Sequence, residues 1–273
     1  MKNILTGNIA RYRKEMGFTQ DELANQLGIT YQAVSKWETE QAMPDITLLP
    51  SLATILNVSV DKLLGYNAYQ ENTSYYENVY RRSDEYYWGV NPSSMCLKVI
   101  SIMPPDKHIK ILDIGCGEGK NAVFFARCGY DVSAFDISET GVEKTKRLAD
   151  NARVHINVFK ADLWDYRMNC KYDILFSCGV LHCIKPELRD EIFTDYRKNT
   201  NINGINVFNV FVEKPFIAKA PENEEHSYLW RSGQLLTYYH DWFIENFSES
   251  VFDCNSSGIL HQHALNQIYA RKK

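Results

Sequence analysis

Three glycines stand between two apolar segments near the middle of the chain. Residues 111–114 have the pattern of a buried strand, and residues 122–126 supply the apolar face of a helix that follows directly. Backbone N–H groups of such a loop can approach a ligand closely, and the helix N-terminus adds a positive dipole. We therefore expect Gly115, Gly117 and Gly119 to bind a small ligand that carries a carboxylate or a phosphate.

Asp136 ends the next apolar segment, 23 positions after Asp113. A carboxylate at the end of a second strand can accept two hydrogen bonds from a ribose diol, which indicates an adenosine-containing cofactor. A dinucleotide enzyme would prefer the pattern G-x-G-x-x-G, whereas this loop has G-x-G-x-G. The spacing therefore favours S-adenosylmethionine over NAD.

These residues need a sheet that brings several strand ends together. Five apolar segments alternate with amphipathic ones, as a doubly wound sheet requires, at residues 111–114, 132–135, 154–160, 172–177 and 205–212. Residues 243–252 and 263–270 add a final hairpin. The sequence predicts an α/β fold with a doubly wound, seven-stranded, Rossmann-like sheet that binds its ligand at the carboxyl ends of the strands.

Residues 86–273 resemble the class I S-adenosylmethionine-dependent methyltransferases and, within them, the tellurite-resistance (TehB-like) methyltransferases. The motifs that carry the resemblance lie at residues 113–121, 129–136, 172–177, 258–261 and 269–273. The resemblance implies the class I fold, S-adenosyl-L-methionine as cofactor, and a set of cofactor contacts in the glycine loop and at the strand ends: Asp113, Gly115, Gly117, Gly119, Asn121, Asp136, Ile137, Asp162, Leu163, Ser177 and Cys178.

Tyr87 and Trp88 precede a helix predicted over residues 92–103. Family members place such an entrance segment over the cofactor, so we expect the two rings to cover the sulfonium by cation–π contact. An aromatic pair beside a helix is also typical of an ordinary core.

The residues after the fourth strand bear on the methyl acceptor. Residues 177–184 contain neither the N-P-P-Y nor the D-P-P-Y motif of amino-group DNA methylases, and they lack the Pro-Cys nucleophile of the cytosine type. A restriction-type DNA methylase is therefore disfavoured, and a small-molecule acceptor is expected. His182 would border its pocket, although a single histidine in an apolar run is structural about as often.

The resemblance to tellurite-resistance enzymes places His261 in the acceptor site, where the family has a His followed by an Arg. Here the next residue is Gln262, so Arg231 becomes the candidate for the missing cation. The alternative is that Arg231 pairs on the surface with Glu224 or Glu225. We expect the acceptor to be an oxyanion such as tellurite or selenite, or a thiol.

A separate pattern of five short helices occupies the first 65 residues. Gly17 and Phe18 end the first helix, and Thr19-Gln-Asp-Glu22 is a capping box that begins the second. The third, over residues 30–38, has apolar residues on one side and leaves four polar or amphipathic side chains on the other: Tyr31, Gln32, Ser35 and Lys36.

Residues 8–65 resemble the helix-turn-helix domain of the Xre/Cro repressor family, through motifs at residues 19–24, 34–38 and 58–61. The resemblance implies binding to double-stranded DNA through a recognition helix over residues 30–37, and a homodimer that reads a palindrome. The DNA contacts that it implies are Tyr31, Gln32 and Lys36 at base edges, with Gln20, Ser35 and Arg11 near phosphates. A protein-binding role for these helices is the alternative.

The 273 residues therefore divide into a helix-turn-helix domain (1–66), a linker (67–85) without a clear helical period, and a methyltransferase domain (86–273). The net charge is −4, and residues 1–66 contain six Lys or Arg against seven Asp or Glu, so non-specific DNA affinity should be weak. Seven cysteines without metal-type spacing predict reduced thiols and no metal site. With no signal-peptide pattern at the start, the sequence predicts a cytoplasmic protein without a membrane span.

Two motif sets thus lead to one leading hypothesis, a small-molecule methyltransferase joined to a sequence-specific DNA-binding domain. The missing arginine after His261 leaves a second hypothesis open. In that hypothesis, the protein is a transcriptional regulator whose methyltransferase-like domain senses S-adenosylmethionine or another ligand without turnover. Methylation of DNA or RNA, guided by the helix-turn-helix, is a third.

Overall fold

A computed structural model describes residues 4–65, 68–106, 108–218, 227–255 and 259–273, without the side chains of residues 68–74. The chain divides into two compact units, Met1–Asn72 and Thr73–Lys273. Glu224 and Glu225 were the alternative surface partners of Arg231, and both lie outside the described residues.

Five short helices fill residues 4–65, as the sequence predicts: α1 (Ile4–Glu15), α2 (Gln20–Leu27), α3 (Tyr31–Glu38), α4 (Leu49–Ile55) and α5 (Val60–Leu64). The capping box before α2 is present, with the Thr19 hydroxyl accepting from the Glu22 N–H. Before the fourth helix, Asp45 caps a 3₁₀ turn over Ile46–Leu48.

A hydrophobic core and one buried ion pair hold these helices together. Leu23, Val34 and Leu52 are fully buried at its centre. Arg13 of α1 donates to both carboxylate oxygens of Glu38 in α3, at 2.6 and 2.9 Å, and both side chains are buried. This pair fixes the end of α3 against α1, which positions the outer face of α3.

The second unit contains a single mixed sheet with helices on both sides. Its helices are α6 (Ala68–Arg81, which begins before the division between the units), α7 (Ser94–Ile102), α8 (Lys120–Cys128), α9 (Glu139–Ala152), α10 (Arg189–Lys198) and α11 (Gln234–Thr237). Its strands are β1 (Lys110–Ile114), β2 (Asp131–Asp136), β3 (Asn157–Lys160), β4 (Tyr172–Ser177), β5 (Thr200–Val212), β6 (Phe243–Cys254) and β7 (His261–Arg271).

The strand order is β3-β2-β1-β4-β5-β7-β6, with β7 antiparallel to both of its neighbours and the other pairs parallel. Alternate residues of β1 face opposite sides: Ile111 packs in one core cluster with α7, α8 and α9, whereas Leu112 packs in the other with α10 and α11. The predicted seven-stranded, doubly wound sheet is thereby confirmed.

Element bounds differ from the predicted ones mainly at strand ends. The third strand begins at Asn157 rather than at residue 154, because Arg153 ends α9 in the left-handed conformation (φ 55°) and the chain needs three residues to turn. The fifth strand begins earlier, at Thr200, which pairs with Tyr172 before a register shift.

The segment predicted as an irregular linker, residues 67–85, differs most from the structure. Residues 68–81 form the helix α6, and its Glu77 accepts hydrogen bonds from the Ser138 hydroxyl (2.6 Å) and the Thr140 N–H (3.1 Å) at the start of α9. Tyrosines spaced as Tyr76 and Tyr80 lie on one face of a helix, and that periodicity was obscured by the polar residues between them.

Among the helices of the described residues, none combines the length and the apolar composition that a membrane span requires.

Candidate active site

The glycine loop joins β1 to α8 at the carboxyl edge of the sheet. Gly115, Gly117 and Gly119 all have left-handed backbones, with φ of 68°, 56° and 89°. A Cβ at Gly115 would lie 2.5 Å from Val180, and one at Gly119 would lie 2.6 Å from Thr145, so larger residues do not fit there. The loop is therefore held tightly against its neighbours, with its backbone fixed.

Asp136 ends β2 directly beside this loop. One oxygen of its carboxylate accepts from the Gly117 N–H at 2.7 Å, and the other accepts from the Ser138 N–H at 2.9 Å. Burial raises the pKa of Asp136 to about 6, against the lowering effect of these hydrogen bonds. Each carboxylate oxygen can still accept from a further donor, as a ribose diol would require.

Asp113, in β1, is fully buried next to the same loop. Burial, and then repulsion from Asp136, raises the pKa of Asp113 to about 7. Within the described part of the chain, its Oδ2 atom has no hydrogen-bond partner. A buried carboxylate oxygen without a donor is rare in native proteins, and it fits the ammonium group of an amino-acid ligand.

An aromatic pair that includes one residue missed by the sequence analysis covers the loop. Tyr80 of α6 is buried, and its hydroxyl oxygen lies 3.0 Å from the position that a Cβ on Gly117 would take. The Trp88 indole N–H donates to the Tyr80 hydroxyl at 3.1 Å, and the Trp88 main-chain N–H donates to Glu118 at 3.2 Å. Trp88 thus lies at the glycine loop, as expected of the entrance segment, and Tyr87 packs edge-on against it.

Beneath this cover, a buried ion pair ties the loop to α9. The Lys144 ammonium donates to Glu118 at 2.7 Å and to the main-chain oxygen of Glu85 at 2.7 Å, and both charged side chains are almost fully buried. Since Glu118 belongs to the glycine loop, this pair fixes the loop to both the entrance segment and α9. Neither residue was singled out by the sequence analysis, because the pair joins positions far apart in the chain.

The other predicted cofactor residues divide by what their side chains contact. Asn121 accepts from the Ser93 N–H at 2.8 Å, and the Ser177 hydroxyl donates to the Ile114 carbonyl at 2.9 Å, so both side chains brace elements of the fold. Leu163 belongs to the hydrophobic core. The remaining three lie at strand ends with part of their surface exposed: Ile137, Asp162 and Cys178.

Histidines gather at the same edge of the sheet, farther along it. His261 begins β7, and its Nε2 atom lies 2.9 Å from Nε2 of His263. The ring of His263 stacks on Phe211 of β5 (4.7 Å, 9°), and His182 packs on Phe211 at 4.4 Å. Burial lowers the pKa of His182 to about 4, so this imidazole is neutral near pH 7.

Arg231 does not share this enclosed environment. It follows the fully buried Trp230, whose main chain extends the sheet beside Val212, but Arg231 itself is exposed. Its main-chain N–H donates to the Gln234 side chain at 3.0 Å. The role of Arg231 as a cation for the acceptor stays a prediction.

In the first unit, α3 presents the predicted DNA-contacting face to solvent. Tyr31, Gln32 and Lys36 are exposed, and Ser35 is half-buried. Gln20 differs from expectation, because its side-chain amide donates to Glu38 at 2.8 Å and so belongs to the buried pair with Arg13.

Comparison with known proteins identifies the second unit. Residues 74–263 match the family described as tellurite resistance protein TehB. The chain belongs to the TehB family. Its similarity to the probable S-adenosyl-L-methionine-dependent methyltransferase TehB of Haemophilus influenzae is 25% identity over 169 residues, which cover 60% of this chain and 57% of that protein. The chain thus spans little more than half the length of that relative.

The crystal structure of TehB from Haemophilus influenzae shares the fold, with a TM-score of 0.60 at 22% identity over 66% of this chain and 62% of that one. The chain therefore shares the region of the TehB family and, over that region, the fold of that structure. The family match begins at residue 74 and so takes in the second half of α6, including Tyr80.

The N-terminal unit matches a second family. Residues 9–63 match the description helix-turn-helix. The HTH-type transcriptional regulator YonR, from an SPbeta prophage of Bacillus subtilis, is 41% identical over 56 residues, which cover 20% of this chain and 52% of that protein. The chain thus carries a helix-turn-helix unit ahead of its TehB region.

Proposed function

We propose that this protein transfers a methyl group from S-adenosylmethionine to a small, soft nucleophile, a thiol or an oxyanion of the tellurite and selenite type. The observation that carries the proposal is the position of His261, at the amino end of β7 and therefore at the same sheet edge as the carboxyl ends of the parallel strands. The cofactor loop lies at that edge as well, since it follows the carboxyl end of β1.

The cofactor contacts that we infer follow from the geometry of the loop. S-adenosylmethionine supplies an activated methyl group, so the protein's task is alignment, with a base where the acceptor carries a proton. Asp113 Oδ2 would accept from the ammonium group and Asp136 from the ribose hydroxyls, while Asp162 would hold the adenine amino group. Tyr80 and Trp88, which lie at Gly117, would exclude water from the amino-acid end.

His261 is suited to act as the base. Its Nδ1 atom lies 2.6 Å from the Ile259 carbonyl oxygen, which can only accept a hydrogen bond. Nδ1 therefore carries the proton, and Nε2 presents a lone pair. A lone pair at Nε2 can take the proton of a thiol, and this favours a thiol over an already ionised oxyanion.

Turnover assays with tellurite, selenite and small thiols test the proposal. We expect methylated product from at least one of them, and a loss of about 10²–10⁴ in kcat for His261→Gln. Gln262→Ala is the control, because Gln262 is exposed at the neighbouring position and should leave the rate unchanged. Cofactor binding without product from any acceptor would support the ligand-sensing regulator instead. Product on DNA or RNA would support nucleic-acid methylation.

We further propose that α3 reads a specific DNA sequence, with Tyr31, Gln32 and Lys36 at base edges. The support is their exposure on a helix whose opposite face is buried. Selection of sites from random DNA should yield a palindrome bound by a homodimer, and Gln32→Ala should lose roughly 1–3 kcal/mol of discrimination at one base pair. Lys62→Ala, on the exposed side of α5, is the control. Selection without enrichment would support a protein partner for α3.

We place this activity in the cytoplasm, because the seven cysteines of the sequence lack the paired spacing of a disulfide framework. For the domain boundaries, we propose a DNA-binding domain at residues 1–66, with the cofactor-binding domain extended to include α6 from about residue 74. Limited proteolysis should then cut between the two families' matched regions, at residues 64–73.

A further inference from the structure

Cys254, His261 and His263 form a cluster at the loop end of the β6–β7 hairpin. Cys254 is paired directly opposite His261 in the antiparallel ladder, and His263 follows two residues later on the same face of β7. The Sγ atom and the two imidazole nitrogens all lie within 4.8 Å of one another, and all three residues are half-buried. The spacing of these residues along the sequence does not predict the cluster, because only the hairpin register brings Cys254 next to the histidines.

The hydrogen bonds of His261 orient its ring toward the centre of the cluster. Because the Ile259 carbonyl oxygen holds the proton on Nδ1 of His261, the Nε2 lone pair points at Nε2 of His263, 2.9 Å away. A histidine that donates one ring N–H to a main-chain carbonyl while presenting the other nitrogen is the usual arrangement of a metal-binding histidine.

Aromatic rings enclose the cluster on one side. His263 stacks on Phe211 at 4.7 Å and lies 5.7 Å from the ring of Phe252. These contacts restrict the His263 ring and keep water from that side, as the apolar surroundings of a metal site do. His182 lies on Phe211 as well, and its buried Nδ1 has no hydrogen-bond partner among the described residues.

We propose that Cys254 Sγ, His261 Nε2 and His263 Nε2 bind one Zn²⁺ ion, with a fourth position open. Thiolate and imidazole together select a borderline-soft metal such as Zn²⁺ over Mg²⁺ or Ca²⁺. With bonds of about 2.0–2.1 Å to nitrogen and about 2.3 Å to sulfur, tetrahedral ligand atoms lie about 3.3–3.6 Å apart. The two nitrogens, at 2.9 Å, would separate by a few tenths of an ångström, and the sulfur would approach by rotation of its side chain.

Binding of the zinc ion would release one proton to solvent. The Cys254 thiol loses its proton to solvent, and the hydrogen shared between the two Nε2 atoms moves to the Nδ1 side of His263, so both nitrogens donate lone pairs to the metal. Three protein ligands with an exchangeable fourth position are the arrangement of catalytic rather than structural zinc.

The open position deepens the proposed function and rests on it. With zinc bound, Nε2 of His261 is a metal ligand and no longer a base. A thiol acceptor would then lose its proton to solvent on binding the open position of zinc as a thiolate. Zinc would then supply a positive charge beside the acceptor, where the neutral Gln262 supplies none. The metal site itself stands on the cluster geometry and does not need the acceptor to be a thiol.

The test is a titration of the tag-free, chelator-treated full chain with Co²⁺, the spectroscopic substitute for Zn²⁺. We expect one ion per chain, a sulfur-to-cobalt charge-transfer absorption, displacement of cobalt by Zn²⁺, and no effect of Mg²⁺. Cys254→Ser should abolish the charge-transfer band. Loss of a hydrogen bond to a metal ligand weakens metal binding by roughly 10–100-fold. Because His263 is proposed as a direct ligand, His263→Gln should weaken cobalt binding by more than that.

Two controls isolate the site. Cys170→Ser removes an exposed thiol elsewhere in the chain, and Gln262→Ala changes the residue between the two histidines on the opposite face. Both should leave the cobalt spectrum unchanged. Binding of S-adenosylhomocysteine by each variant, measured by calorimetry, shows that the variant is folded.

Absence of a charge-transfer band in the native chain, or a band that persists in Cys254→Ser, would overturn the metal site. If S-adenosylhomocysteine still binds in that case, the methyltransferase function stands and only the zinc proposal fails. Cobalt bound at the cluster without methyl transfer to any acceptor would leave the metal site intact and overturn the proposed reaction instead.

Discussion

Two buried carboxyl groups are the most distinctive feature of the second unit at the scale of single residues. Asp113 and Asp136 lie beside one glycine loop, and burial raises the pKa of both. Asp136 has two main-chain N–H donors, whereas Asp113 has one carboxylate oxygen without a partner in the described chain. A ligand that brings an ammonium group to Asp113 and hydroxyl groups to Asp136 would relieve this unfavourable burial.

Replacing Asp136 with Asn should weaken the cofactor product without unfolding the protein. The amide keeps one acceptor oxygen but loses the charge, so S-adenosylhomocysteine should bind about 10–100-fold more weakly, as expected for loss of charge-assisted hydrogen bonds. Calorimetric titration measures the affinity. Asp131→Asn, at the exposed start of the same strand, is the matched control and should bind as the native chain does. Equal affinities for the two variants would refute the ribose role.

The raised pKa of Asp136 also predicts how stability depends on pH. Because the folded-state pKa of about 6 lies above the ordinary 3.8, folding favours the protonated acid. That contribution is fully present below about pH 4 and is lost as pH rises through 6. We would measure the free energy of unfolding of the ligand-free protein with denaturant, for the native chain and for Asp136→Asn. As pH rises through this range, the native value should fall by up to roughly 3 kcal/mol relative to that of the variant. A constant difference between the two proteins would contradict the buried acid.

The helix α6 is the decisive feature at the scale of elements. Glu77 anchors it to the first turn of α9, and Tyr80 one turn later packs on the glycine loop. Burial alone would raise the pKa of Glu77, but hydrogen bonds from Ser138 and Thr140 lower it to about 2. The anchor therefore stabilises the fold above about pH 4.5 and weakens only as pH falls toward 2.

Loss of that anchor should release α6 and weaken cofactor binding together. In Glu77→Ala, the Ser138 and Thr140 donors lose a charged acceptor, at a cost on the order of 2 kcal/mol. Hydrogen exchange should then speed up for the main-chain amides of residues 75–81, and the affinity for S-adenosylhomocysteine should fall. Glu143→Ala, exposed on α9, provides the comparison. Faster exchange with unchanged affinity would separate α6 from the cofactor site.

Three hydrophobic clusters characterise the described molecule: one in the first unit and one on each side of the sheet in the second. The core of the first unit contains only residues up to 63, and the clusters around the sheet begin at residue 95. A chain with separate cores is expected to unfold in separate cooperative steps. Only the second unit carries the residues assigned to the cofactor.

Calorimetric unfolding of the full chain should therefore show two transitions. S-adenosylhomocysteine at about 100 times its dissociation constant should stabilise the sheet unit by about 2.7 kcal/mol and raise that transition alone. Specific DNA should raise the other one. A single transition that both ligands raise would show that the two units unfold cooperatively.

Short-range patterns in the sequence determined much of this protein. The capping box at Thr19, the glycine loop with its left-handed residues and the carboxylates at strand ends are each set by a few neighbouring residues, so periodicity and turn chemistry predict them. The sheet and the five N-terminal helices followed from the same patterns, whereas the helix-turn-helix assignment came from the family resemblance; both were confirmed.

Contacts between distant segments were decided only by the tertiary structure. Tyr80 reaches Gly117, and Lys144 reaches Glu118, across stretches of chain that no local pattern spans. Cys254 meets His261 because the hairpin register places them opposite each other, and a shift of one residue would turn Cys254 to the other face. Register and docking depend on the packing of the whole sheet, so the sequence alone gives the residue types without their partners.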